Sequence, residues 1–170
     1  MAEITNSLIS KIKKLEGGYV NNPNDKGGCT NSGITISTYR KYFGKTKTCN
    51  DLKKLSENHW MTIFINGYWN KILGYKIKNQ SIADFLVDWY WHSGSYAIKF
   101  TQQILNVSSD GVVGPKTIAA INNYPNQKEL FQKLWNRRKK QFDDIVKRNP
   151  SQKIFLKGWY NRINDFKWFE

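Results

Sequence analysis

The chain has 170 residues, 39% of them apolar and 15% aromatic, with 27 Lys and Arg against 13 Asp and Glu, a formal charge of +14. That length suits one compact domain, or one with a small appendage, and the apolar content is ample for a core; the charge attracts polyanions, whether nucleic acid, anionic membranes or bacterial wall polymers. No stretch approaches the roughly 20 apolar residues of a membrane span, the two cysteines and two histidines show no zinc-ligand spacing, and the N-terminus lacks the apolar core of a signal peptide.

In chain order, Ile4, Leu8, Ile9, Ile12 and Leu15 share one face at helical spacing. Thr5 or Asn6 can cap the start and Gly17 supplies the stop, which predicts a first helix over 6–16. Residues 17–33 carry turn chemistry, PNDKGG and TNSG. They leave room for a short hairpin with Tyr19-Val20 on one arm and Gly33-Ile34-Thr35 on the other. Ser37 is read as the cap of a short helix through Phe43, Asn50 as the opening of another, and Ser56 as the cap of a helix to about Tyr68. Cys29 and Cys49 are expected first as free thiols and second as a disulfide, since nothing else points to an oxidising space.

Ser81 with Asp84 has the pattern of a capping box. The helix it opens buries Ile82, Phe85, Leu86 and Trp89 and ends at Ser93-Gly94. Residues 96–105 are helical again. VSSDGVVGPKT then makes a turn into a helix whose first residue is Pro115. Asn126 with Glu129 opens a long helix to about Lys147, stopped by Asn149-Pro150. Its basic run, Arg137-Arg138-Lys139-Lys140, reads as a solvated face. The aromatic tail over 152–169 is helical. The fold class is mainly α with a small N-terminal hairpin or turn region. Residues 1–80 and 81–170 form two regions with no linker between them, expected to pack as one compact unit.

Chemistry concentrates in EGGYVNNPNDKGGCTNSGIT. Glu16 closes the first helix beside the negative end of its dipole, a place that favours a carboxyl keeping its proton, as a general acid must. Gly17 and Gly18 clear side chains from beside it. Asp25 on the following turn is positioned as a second carboxylate across a glycosidic bond. Thr30 supplies a hydroxyl for a water.

The set Glu16-Gly17-Gly18, Asp25, Gly27-Gly28, Thr30 and Gly33-Ile34 resembles the N-terminal signature of glycoside hydrolase family 108, the N-acetylmuramidases of phage endolysin type, also labelled putative secretion activators. The spacing is also similar to the Glu, Asp and Thr of other phage lysozymes. DGVVGPKTIAAIN, beginning at Asp110, resembles the predicted peptidoglycan-binding segment that accompanies the family, so the resemblance covers nearly the whole chain. It implies a lysozyme-like helical fold that cleaves the β-1,4 bond between N-acetylmuramic acid and N-acetylglucosamine. Glu16 is then the acid, assisted by Asp25 and Thr30, with no metal or organic cofactor. Tyr19, Trp69 and Trp91 are candidate sugar-facing rings. Asp88 and His92 match the acid and amide positions of the family, His92 replacing an Asn. Bacterial peptidoglycan is the expected partner, reached from the cytoplasm through a holin or another export route.

Two other readings fit parts of the chain. A non-catalytic wall-binding or secretion accessory keeps the aromatic residues and DGVVGPKT, but has no chemical use for Glu16 at a glycine-cleared helix end. A nucleic-acid binder fits the charge, yet the basic residues are scattered and no reader motif is present.

Overall fold

The computed structural model describes residues 1–14, 16–22 and 27–169. It is mainly helical with one small sheet, the class expected from the sequence. The chain divides into two compact units, Ile4–Gly67 and Met1–Glu3 with Tyr68–Glu170.

In the first unit, α1 spans Asn6–Lys14 and buries Leu8 and Ile12 completely. Thr5 caps it, its Oγ1 accepting from the Leu8 N–H at 3.1 Å. Of the expected span 6–16, Leu15 lies outside the described residues and Glu16 is not helical. A two-residue hairpin follows, β1 (Thr30–Asn31) against β2 (Ile34–Thr35), with Thr30 opposite Thr35. Its turn residues Ser32 and Gly33 both have positive φ, 48° and 78°, the geometry that matches the twist of a tight hairpin. Val20 adds a single antiparallel bridge to Thr30, so the predicted arms are shifted: the tight turn lies within TNSG, and Tyr19-Val20 flank the sheet.

Helix α2 (Ile36–Phe43) is capped by Thr35, not Ser37, through a 3.1 Å bond from the Thr38 N–H. Helix α3 (Cys49–Lys53) opens on a full capping box between Thr48 and Asp51, and Cys49 is disulfide-bonded to Cys29 with Cα atoms 5.8 Å apart. The expectation of free thiols is therefore overturned. Cys29 is fully buried, and the hairpin brings the two thiols together in a way that spacing alone did not reveal. Helix α4 (Glu57–Phe64) has its predicted Ser56 cap and runs into a π-helical turn, Ile65–Trp69. The division between the units falls inside that turn.

In the second unit, α5 (Gln80–Ser93) is capped by Asn79, whose Oδ1 accepts from the Ile82 N–H at 3.0 Å. Ser81 sits inside the helix instead of capping it. Helix α5 is buried along most of its length and forms the centre of the core, with Phe85 and Trp89 fully enclosed. Around it stand α6 (Ser95–Ile104), α7 (Pro115–Asn122), α8 (Gln127–Arg148) and α9 (Lys153–Asn164). Pro115 takes the first helical position as predicted, and Asn126 caps α8 through the Glu129 N–H at 3.0 Å. The tail stays helical only to Asn164.

The basic run on α8 is not a solvated face. Arg138 has no exposed surface, and its Nη2 lies 2.8 Å from Asp88 Oδ2. The Arg137 guanidinium lies 3.4 Å from the Phe100 ring centroid. Only Lys139 and Lys140 point outward, toward Asp143 and Asp144. A helix has no way to turn four consecutive side chains to one side, and the second of the four falls on the core stripe.

Candidate functional site

Glu16 is half-buried, just beyond the end of α1, and its N–H donates to the Lys13 carbonyl at 3.1 Å, extending the last turn. From there backbone bonds set its surroundings. The Gly17 carbonyl accepts from the Ser32 N–H at 3.1 Å, and Val20 and Thr30 exchange both of their backbone bonds, at 2.9 and 2.8 Å. Those contacts carry Glu16, Tyr19 and Thr30 into one neighbourhood of the Ile4–Gly67 unit. Asp25 lies outside the described residues. A Cβ placed on Gly17 or Gly18 would meet no described atom within 4 Å, so none of the described residues crowds the segment after Glu16.

Several residues that motif reasoning passed over brace this arrangement. The Asn31 amide donates to the Leu52 carbonyl at 2.9 Å and to that of Lys53 at 3.3 Å, tying β1 to the end of α3. The disulfide ties Cys29, one residue before β1, to the start of the same helix. The Trp60 Nε1–H donates to the Ser32 carbonyl at 3.1 Å and holds the hairpin turn from α4. Lys13 pairs with the Glu57 carboxylate, and its ammonium stands 4.5 Å from the Trp60 ring centroid. Tyr19 is half-buried with the Lys53 ammonium 5.7 Å from its ring. An even cysteine count and an Asn in TNSG were the signals available; neither names its partner. His59 shares a 2.9 Å hydrogen bond at Nδ1 with the Tyr39 hydroxyl and stacks on Phe43 at 3.8 Å.

Trp69, Asp88, Trp91 and His92 all belong to the other unit. Trp69 is 4% exposed and packs so closely on Gly74 that an added Cβ there would stand 2.6 Å from the indole. Its ring is core, with no face to offer a sugar. Asp88 has no exposed surface. Arg162 grips it from α9, Nη2 to Oδ1 at 2.7 Å and Nε to both oxygens at 3.1 Å, and Arg138 approaches from α8. Burial alone would raise this carboxyl, but the two guanidiniums outweigh it and hold it below the ordinary carboxylate range. Asp88 thus braces three helices, and its carboxylate faces the protein interior.

Trp91 is half-buried with its ring 4.3 Å from that of Tyr68. His92 is exposed on one side and meets Phe142 and Trp159 edge-on at 5.8 and 6.3 Å on the other. The protein packed around it, then Arg138 and Arg162, push its pKa down to about 4, so the imidazole is neutral at physiological pH. It borders an open cavity of about 360 Å³ with Tyr96, Phe100, Gln141, Ile145 and Arg148.

The DGVVGPKT segment is organised by one buried side chain. Gln102 Nε2 donates to Asp110 Oδ1 at 2.9 Å, to the Val112 carbonyl at 3.0 Å and to Thr117 Oγ1 at 3.2 Å. Its Oε1 accepts from the Gly111 N–H at 2.9 Å. Gly111 itself has φ of 78°. Asp110, Gly111, Val112 and Thr117 are thus engaged with Gln102, while Lys116 stays exposed beside them. Among the described residues, no group of three or more His, Cys, Asp or Glu gathers that would hold a metal ion.

Residues 9–94 match the model of glycosyl hydrolase 108, and residues 96–164 match that of a predicted peptidoglycan domain. The fold is similar to that in the structure of SagA from Brucella abortus, at a TM-score of 0.76 and 30% sequence identity, over 92% of this chain and 87% of the other. Among curated proteins none matches.

Proposed function

The chain belongs to the glycosyl hydrolase 108 family, and we propose that it is an N-acetylmuramidase that cuts the β-1,4 bond between N-acetylmuramic acid and N-acetylglucosamine, with Glu16 as general acid. The observation that carries this is Glu16 itself. It is a half-buried carboxyl inside the matched segment, set just beyond a helix and followed by two glycines that no described atom crowds. A glycan strand needs that clearance to bring its bridging oxygen to the carboxyl.

In the proposed reaction the Glu16 proton passes to the bridging oxygen as its bond to the anomeric carbon breaks. Positive charge then develops on the sugar ring, and Asp25 is the carboxylate assigned to it. If the two carboxyls stand about 5 Å apart, Asp25 attacks the anomeric carbon to form a glycosyl ester, water deprotonated by Glu16 then displaces Asp25 from that carbon, and the two inversions retain configuration. At roughly 6.5–9.5 Å Asp25 takes a proton from an attacking water, and configuration inverts. Thr30 is assigned to position that water, and Tyr19 to stack on a sugar face. The charge of +14 concentrates the protein on a wall carrying phosphate and carboxylate groups. The reading includes release to the wall through a holin or similar route, as for a phage endolysin.

Clearing of purified sacculi by Glu16→Gln protein tests the assignment. Loss of the acid is expected to slow clearing about 10²- to 10⁴-fold with the melting temperature unchanged, while a variant as fast as wild type removes Glu16 from the mechanism. Mass spectrometry of the digest should show new reducing ends on muramic acid; ends on glucosamine would reassign the bond.

A further inference from the structure

One cavity in the helical unit has no role in this chemistry. It has a volume of about 410 Å³, within the range of small-ligand sites. One wall is a single face of α8, where Lys128, Phe131, Gln132 and Trp135 recur at helical spacing. The other is the segment after α9, where Asn164, Lys167 and Trp168 lie across it. That segment is fixed in place. The Phe166 ring is 3% exposed, the Phe166 N–H donates to the Ile163 carbonyl at 3.2 Å, and the Phe169 N–H donates to Ser81 Oγ at 2.9 Å.

The two indoles are half-buried and preset. The Trp135 Nε1–H is engaged by the Ile163 carbonyl at 3.2 Å, so this ring offers a ligand its apolar surface. Trp168 stands edge-on to Phe131 at 6.0 Å. At the rim are two amides, Gln132, one N–H of which donates to Asn136 Oδ1 at 3.0 Å, and Asn164, with the Lys167 ammonium beside them. Flat apolar walls with polar groups at their edges complement a pyranose, whose faces present C–H and whose edges present hydroxyls. Amides match an acetamido substituent, and an ammonium group matches a carboxylate.

We propose that this cavity is a second glycan site, built wholly from the unit that lacks Glu16, and that it takes an N-acetylated amino sugar bearing a carboxylate, the chemistry of a muramoyl residue. The proposal rests on the reading of peptidoglycan as the partner. It gives the helical unit a binding role that does not use DGVVGPKT, where Asp110 and Thr117 are already engaged with Gln102.

The test is an NMR and tryptophan-fluorescence titration of Glu16→Gln protein, which does not consume the sugar. The probes are the N-acetylglucosaminyl-N-acetylmuramic acid disaccharide and the neutral chitobiose. Expected are shifts at the Trp135 and Trp168 indoles and the Gln132 and Asn164 amides, with the acidic disaccharide bound about threefold or more tighter than the neutral one. Trp168→Ala should weaken binding about tenfold. Lys167→Glu, at an exposed position that leaves the melting temperature unchanged, should abolish the preference for the acidic sugar. Shifts confined to residues 4–67, or wild-type affinities in both variants, would overturn the proposal. Either result leaves the Glu16 assignment untouched, because that is read from clearing and reducing ends. A Glu16→Gln protein that still clears sacculi yet binds at the cavity would sink the other claim alone.

Discussion

The two units of this chain hold themselves together by different means. The Ile4–Gly67 unit is short, with a small core around Leu8, Ile12, Leu52, Trp60 and Phe64 and a hairpin whose strands are two residues each. To that core it adds a covalent tie from Cys29 to Cys49, the Asn31 amide and backbone bonds between turns. A small unit exposes too much of its surface for apolar burial alone to hold it. The helical unit has five α-helices among its described residues and an ample aromatic core. It can therefore afford an ion cluster at its centre, where Asp88 is clasped by Arg138 and Arg162. The comparison teaches where each unit is vulnerable. The proposed catalytic unit depends on redox chemistry, and the helical one on protonation.

The largest effect expected from breaking this contrast is at Asp88. Asp88→Ala leaves two buried guanidiniums without their counter-charge and should destabilise the helical unit by about 3–5 kcal/mol. Urea denaturation followed by helix signal measures it, and a loss under 1 kcal/mol would show that solvent reaches the cluster. Next is the disulfide, whose two cysteines are separated by 20 in sequence. Cys49→Ser should lower the stability of the Ile4–Gly67 unit by about 3 kcal/mol, the loop-closure entropy regained by the unfolded chain. Amide exchange should then accelerate across residues 4–67 and stay unchanged at Phe85 and Trp89. Equal acceleration in both units would erase the distinction.

The smallest effect is the response to acid. His92 takes a proton near 6.5 when unfolded and only near 4 when folded. Between those values the unfolded chain binds more protons, so stability falls as pH drops from about 6.5 to about 4. Asp88 acts with the same sign further down: its folded carboxyl lies below the ordinary 3.8, so its contribution is present above that value and is lost as pH falls through the folded one. Denaturant midpoints from pH 7.5 to 3 should decline in two stages. His92→Gln should remove the upper stage and leave the lower.

Much of the helical scaffold was legible because caps and breakers act locally. Ser56, Pro115, Asn126 and Asn149-Pro150 all mark the ends they were expected to mark. Local reading failed where two neighbouring residues competed for one job. Thr35 caps α2 in place of Ser37, and Asn79 caps α5 in place of Ser81. Each winner has an extended backbone that lets its side-chain oxygen reach the third N–H of the helix. What the sequence hid is long-range. The Cys29–Cys49 bond, the Asn31 contact with α3 and the partners of Asp88 depend on which segments the fold brings together. Near the proposed site, the backbone bonds from Gly17 to Ser32 and between Val20 and Thr30 follow turns that the sequence marks locally. The indole cavity was not legible, since its walls come from α8 and from a segment some thirty residues later that the sequence reading had continued as helix.

Gln102 carries a consequence for how such chains are read. Asp110, Gly111, Val112 and Thr117 look like four choices made separately, spread along a recognisable string. In the folded protein they are four answers to one question, namely which groups satisfy a single enclosed carboxamide. The string therefore holds far less independent information than its length suggests. Lys116 is exposed and outside that network, so it is free to drift, whereas a change at Gln102 would rewrite the whole loop at once.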